Sequence, residues 1–207
     1  GQDLLAMHKD LESFLIALKS RGIHSIELRK LVRGVDEQFY QAYNSSIQLI
    51  WDLGLEITIH GDVTGGYSGK HFTEVYPSMG YILENFSKYQ SKLVMAIHAY
   101  QEKEGGSSDE LKKRTISLFN DWTKIVEREN IPLYFALENN RKKATSVDPG
   151  NSCMGVLEMV QAVNHPNLGI TWDMGQATIV SHFVRFWRRY TILTFTDSIL
   201  QEGHISH

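Results

Sequence analysis

The chain has 207 residues, of which 42% are hydrophobic and 22% charged, and these proportions are typical of a globular protein with one large domain. Its formal net charge of −3 argues against nucleic acid as a partner, because phosphate backbones are bound through clustered basic side chains. Cys153 is the single cysteine, which excludes an internal disulfide, and no apolar run is long enough to cross a bilayer. We therefore expect a cytoplasmic protein with no membrane partner.

Helix and strand patterns alternate along the chain. Helices are predicted over residues 3–20 and 36–53, each ended by a glycine, and a strand is predicted between them over residues 23–29. Further strands are predicted over residues 55–60, 93–98, 131–138 and 168–173. Helical spacing of apolar residues follows in each interval, and Pro149 is predicted to take the first position of the fifth helix.

This order predicts parallel strands joined by crossover helices in a single domain over residues 1–207. A doubly wound sheet and a (β/α)8 TIM barrel share the pattern. The barrel is favoured because no strand precedes a Gly-x-Gly-x-x-Gly motif, and because polar residues end strand after strand, as around a common barrel mouth. A complete barrel needs about 250 residues. We therefore expect an incomplete one that lacks its first strand and its final strands.

Four successive predicted strands end in side chains that bind metals: His60, His98, Glu138 and Asp173. The carboxyl ends of parallel strands are where α/β enzymes place their chemistry, so these groups would form one ligand set at a shared rim. Each also has a simpler interpretation. The histidines could be hydrogen-bonded rim residues, Glu138 could pair with a basic residue of the next loop, and Asp173 could cap the following helix. Tyr134 and Trp172 are predicted to lie in the core, and Cys153 to serve packing.

The ordered set of strand ends resembles the xylose isomerase-like TIM barrels, which comprise sugar-phosphate isomerases and epimerases and the related apurinic-site endonucleases. The resemblance rests on residues 55–62, 93–100, 135–140 and 165–176, and it covers about residues 3–176. It implies that Glu138 and Asp173 bind a divalent metal. It also implies that four further residues bind substrate: Glu27, His60, His98 and Gln176.

The activity implied by this resemblance is metal-dependent isomerisation or epimerisation of a small sugar or sugar phosphate. Glu138 would serve as ligand and catalytic base at once, moving a proton through an enediolate while the metal polarises the substrate carbonyl. Carboxylate-rich ligation with one imidazole suits Mn²⁺, Mg²⁺ or Co²⁺ and does not exclude Zn²⁺. The histidine and glutamate that complete the site from the seventh and eighth strands have no convincing match.

Two alternatives stay open. The first is an apurinic-site endonuclease, since the positions of His60 and His98 bind additional zinc in that branch, although Gln176 stands where many relatives carry a histidine. The second is a non-catalytic barrel fragment. Residues 177–207 form an atypical tail, and we hypothesise that it is an out-of-frame translation of a histidine-rich seventh strand. Open strand edges would favour self-association, so a homo-oligomer is expected.

Overall fold

A computed structural model describes residues 11–31, 34–62, 69–103, 106–141, 146–173 and 192–193. Its helices are α1 (Leu11–Ser20), α2 (Glu37–Asp52), α3 (Phe72–Val75), α4 (Ser78–Asn85), α5 (Ser108–Arg128) and α6 (Cys153–Val163), with a 3₁₀ turn at Phe86–Lys88. Its strands are β1 (Ser25–Arg29), β2 (Glu56–Gly61), β3 (Leu93–His98), β4 (Glu102–Lys103), β5 (Leu133–Glu138), β6 (Ser146–Val147), β7 (Leu168–Thr171) and β8 (Ile192–Leu193). None of the described helices is both long and apolar enough to cross a membrane.

Six strands form one sheet in the order β1-β2-β3-β5-β7-β8. Every neighbouring pair is parallel, as the alternation of helices and strands predicts. The short strands β4 and β6 form a separate antiparallel pair, which links the loop after β3 to the loop after β5. The described strands do not close into a cylinder, so the architecture is the expected incomplete barrel.

The strand register divides the side chains between two faces of the sheet. Ile57, Met95 and Phe135 lie on the face that packs against the helices in the hydrophobic core. The alternate residues point the other way because successive side chains of a strand lie on opposite faces. This second face, which we call the inner face, carries four of the predicted site residues: Glu27, His60, His98 and Glu138. In the strand register Glu27 pairs with Thr58, His60 with Ala96, and His98 with Glu138.

Local signals fix the ends of several elements. Gly22 and Gly54 adopt φ angles of 82° and 69°, the left-handed conformation that ends a helix at low cost for glycine. Asp36 caps α2 by accepting the Phe39 N–H at 2.7 Å, and Ser107 caps α5 through the Glu110 N–H. Gly22, Asp36 and Gly54 thus lie at the helix boundaries that the sequence predicts on either side of β1 and before β2.

Two sequence predictions are wrong, one about where a helix begins and one about a buried residue. Helix α6 begins at Cys153 rather than Pro149, because Asp148 Oδ1 accepts the Gly150 N–H at 2.8 Å in a turn and Ser152 supplies the cap. Tyr134 is 39% exposed rather than buried, since it points to the inner face of a sheet that the described strands leave open. Trp172, also predicted as core, is buried.

Candidate metal centre

The carboxyl ends of β2, β3 and β5 bring three metal-binding side chains together. Glu138 is the last residue of β5, His98 is the last residue of β3, and His60 is the next-to-last residue of β2. Among the described residues, His60, His98 and Glu138 form a group in which one ligand atom of each lies within 4.8 Å of the others. Asp173 is not a member of this group.

The separations between these atoms suit one shared ion. Glu138 Oε2 lies 3.6 Å from His60 Nδ1 and 3.8 Å from His98 Nε2. The two imidazole rings meet edge to face, with their centroids 5.2 Å apart. Donor atoms that share a cation with bonds of about 2.0–2.2 Å lie roughly 3–4 Å from one another. The three residues therefore need little movement to coordinate the same ion.

Glu138 is buried in a way that calls for a cation. Glu138 is 6% exposed, and its Oε2 atom has no hydrogen-bond partner among the described residues. Burial raises the pKa of Glu138 to about 7, with smaller contributions from the charges of Glu27 and Asp173, while His60 acts in the opposite direction. His98 Nδ1 is a second buried atom without a described partner. An unpaired buried carboxylate oxygen costs free energy, so Glu138 beside the two imidazoles fits a divalent ion.

The two histidines differ in their surroundings. His60 Nδ1 lies 3.3 Å from Glu27 Oε1, and this hydrogen bond is the main cause that raises the pKa of His60. Burial lowers the pKa of His98, and the nearby His60 lowers it further. In the metal-free protein, burial thus favours the neutral imidazole of His98, whereas the Glu27 carboxylate favours the protonated imidazole of His60, whose proton a bound metal would displace.

Comparison with known proteins assigns the fold. The sequence matches no family model and no curated protein. Among solved structures, the IOLI protein with a bound zinc atom aligns over 77% of this chain and 56% of its own, at 16% identity and a TM-score of 0.54. D-psicose 3-epimerase, solved in the presence of D-fructose, aligns over 80% and 58%, at 14% identity and a TM-score of 0.51.

A third similar structure identifies the type of barrel. It is a xylose isomerase-like TIM barrel protein from Mycobacterium smegmatis in complex with magnesium, which aligns over 80% of this chain and 56% of its own, at 10% identity and a TM-score of 0.50. The chain has the xylose isomerase-like TIM-barrel fold. It spans 56–58% of the length of these three structures. The resemblance drawn from the strand ends is thus confirmed at the level of the fold.

In this xylose isomerase-like sheet, Asp173 lies beside the three clustered residues. It follows β7 at the same edge as Glu138, and its charge raises the pKa values of both Glu138 and His98. Its backbone is held by the side chain of Asn139. The strand ends predicted one ligand set of all four residues, and the family resemblance implied Glu138 and Asp173 as ligands with the histidines binding substrate. Among the described residues, the two histidines are grouped with Glu138. Gln176 lies outside the described residues.

The sequence analysis missed an ion pair between a buried lysine and a partly exposed aspartate at the same edge. Lys30, 6% exposed, directly follows β1 and forms a salt bridge with Asp62, which follows β2. Burial alone would raise the pKa of Asp62, but the hydrogen bond and charge of Lys30, together with the charges of His60 and Arg29, lower that pKa overall. The signal was present in the sequence, because both residues follow predicted strands as the four recognised residues do.

Proposed function

We propose that the chain carries the metal-binding part of an isomerase or epimerase that acts on a small sugar or sugar phosphate. The cluster of His60, His98 and Glu138 at the carboxyl edge of a xylose isomerase-like sheet carries this proposal. The similarity of the fold to that of D-psicose 3-epimerase supports the choice of reaction. Because the chain spans little more than half of such structures, the proposal concerns the activity of a complete barrel that includes this edge.

Three residues would hold the metal, with Asp173 next to them. Two imidazoles and one carboxylate suit Zn²⁺, Co²⁺ or Mn²⁺ better than Mg²⁺, which prefers an all-oxygen shell. This donor set shifts the expected preference away from the carboxylate-rich set that the sequence suggested. When bound, the ion would supply Lewis-acid polarisation of a substrate carbonyl and its adjacent hydroxyl.

Glu138 is the proposed catalytic base. Its carboxylate ends β5 on the inner face, where it can accept a proton from a substrate held beside it. The proton would leave the carbon next to the substrate carbonyl, giving an enediolate, and would return to the neighbouring carbon or to the opposite face. Glu27 orients His60 on the same inner face, with Glu27 Oε1 3.3 Å from His60 Nδ1. Both groups thus face the space in which a sugar would lie.

Solvent-proton exchange tests this function directly. The metal-free chain would be loaded with Zn²⁺, Co²⁺ or Mn²⁺ and incubated in deuterated water with a panel of free and phosphorylated ketoses. We expect metal-dependent incorporation of deuterium next to the carbonyl, and its loss in Glu138→Gln. Glu158→Gln, on the exposed side of α6, is the matched control and should exchange like the wild type. Exchange that survives Glu138→Gln would assign the base elsewhere.

A second candidate is the hydrolysis of abasic-site DNA. The observation in its favour is the pairing of both histidines with Glu138, since the corresponding positions bind zinc in the endonuclease branch. The net charge of −3 argues against it, because DNA binding needs a basic face. Cleavage of an abasic-site duplex by the zinc-loaded chain, without exchange into any ketose, would favour the nuclease over the epimerase.

A further inference from the structure

The side chain of Asn139 connects the ends of two neighbouring strands. Asn139 follows Glu138 and is only 2% exposed. Its Oδ1 accepts the backbone N–H of Asp173 at 2.6 Å, and its Nδ2 donates to the backbone carbonyl of Asp173 at 3.0 Å. A planar side-chain amide thus bonds both backbone groups of one residue, as the opposite residue of an antiparallel strand would.

This connection lies where regular strand pairing has ended. The backbone pairing of β5 with β7 stops at Glu138 and Thr171. Asp173 is two residues further along, so the ladder no longer fixes its position. The Asn139 amide extends the pairing by one further contact and holds Asp173 to the residue next to Glu138.

We propose that Asn139 is a positioning residue that sets the Asp173 carboxylate beside Glu138 and His98. The inference rests on the proposed metal centre, because it gives Asp173 a place next to the bound ion. Thr171 pairs with Glu138 on the inner face, and Asp173 follows it by two residues, so the alternation of side chains directs the Asp173 carboxylate to the face that carries Glu138 and His98. Residues that orient the groups around a metal typically change its affinity when they are replaced.

A purely structural role is the competing explanation, and the chain offers a matched control for it. Asn167 donates from Nδ2 to the backbone carbonyl of Leu133 at 3.1 Å. It therefore connects the same two strands, β7 and β5, at the opposite end of the sheet from the candidate metal centre. Asn167→Ala and Asn139→Ala should lower thermal stability to similar extents, and they should differ at the metal centre.

The first experiment titrates the metal-free full chain and both variants with Co²⁺, followed by visible absorption. We expect Asn139→Ala to weaken binding by about 10- to 100-fold and to alter the ligand-field spectrum, while Asn167→Ala changes neither. Asn139→Ser, which keeps a small polar group, takes its place if the alanine variant does not fold. Equal effects of the two alanine substitutions would overturn the positioning role.

The second experiment asks whether Asn139 acts through Asp173. In a double-mutant cycle, Asn139→Ala should have no further effect on Co²⁺ affinity once Asp173→Asn is present. An undiminished effect in that background would overturn the inference.

A third readout needs no metal. The backbone N–H of Asp173 should exchange with solvent faster in metal-free Asn139→Ala than in the wild type, and at the wild-type rate in Asn167→Ala. If the wild type binds no Co²⁺, the proposed metal centre is wrong, and this exchange rate alone then decides whether Asn139 holds Asp173. Unchanged exchange in Asn139→Ala would overturn the inference.

Discussion

His98 and Glu138 are direct neighbours across the β3–β5 ladder, and His98 Nε2 lies 3.8 Å from Glu138 Oε2. The two residues are forty positions apart in the sequence, but both end their strands on the same face of the sheet. The register that packs the core on the other face therefore also aligns these side chains. We infer that the candidate metal centre is built into the sheet itself.

Replacing His98 should remove metal binding without unfolding the chain. We expect His98→Gln to lower Zn²⁺ affinity by at least about 100-fold, more than the loss typical of groups that only orient a ligand. Isothermal titration calorimetry on metal-free protein measures this change. His165→Gln is the control, because His165 pairs with Glu127 at the end of α5, away from the strand ends. Equal affinity in both variants would place the ion elsewhere.

Replacing Glu138 should stabilise the metal-free chain at high pH. The folded-state pKa of Glu138 is about 7 against an ordinary 4.5, so between these values the folded state keeps a proton that the unfolded state releases. Wild-type stability should fall as pH rises through this window, and Glu138→Gln lacks that loss. Relative to the wild type, Glu138→Gln should gain about 2–3 kcal/mol between pH 5 and pH 8. Urea unfolding with a chelator present checks this, and a pH-independent difference would contradict it.

Replacing Glu27 should lower the pKa of His60. The hydrogen bond to the Glu27 carboxylate is the main cause that raises this pKa above 6.5. In Glu27→Gln that cause is removed, whereas the burial of His60, which lowers the pKa, still acts. NMR titration of the His60 imidazole in metal-free wild type and Glu27→Gln measures the shift. The His165 imidazole is the internal control, because it pairs with Glu127 at the end of α5, away from Glu27 and His60. An unchanged His60 titration would show that Glu138 rather than Glu27 holds the proton.

Replacing Lys30 should destabilise the fold more than breaking an exposed ion pair does. Lys30→Met removes the buried ammonium and leaves the Asp62 carboxylate, whose side chain is 40% exposed, to partial hydration, at an expected cost of about 1–2 kcal/mol. Lys112→Met removes the exposed pair with Glu158 and should cost about 0–1 kcal/mol. Chemical unfolding of both variants at neutral pH compares them. Equal costs would mean that the Lys30–Asp62 pair is no more stabilising than a surface pair.

The sequence was most informative where a local pattern is sufficient. Apolar runs located the strands, and the last residue of each run identified His98 and Glu138. Contacts that depend on register between distant strands could not be seen in this way, and they include Glu27 with His60 and Asn139 with Asp173. The exposure of Tyr134 was missed for a related reason, since burial of the inner face depends on how far the sheet closes.

The location of a bound ion tests the central claim most directly. Crystals of the chain grown with Zn²⁺ and measured on both sides of the zinc absorption edge would show the ion as an anomalous difference peak. We predict one peak about 2.0–2.3 Å from a nitrogen of His60, a nitrogen of His98 and an oxygen of Glu138. A peak bound by other residues, or none with these three side chains well ordered, would contradict the account.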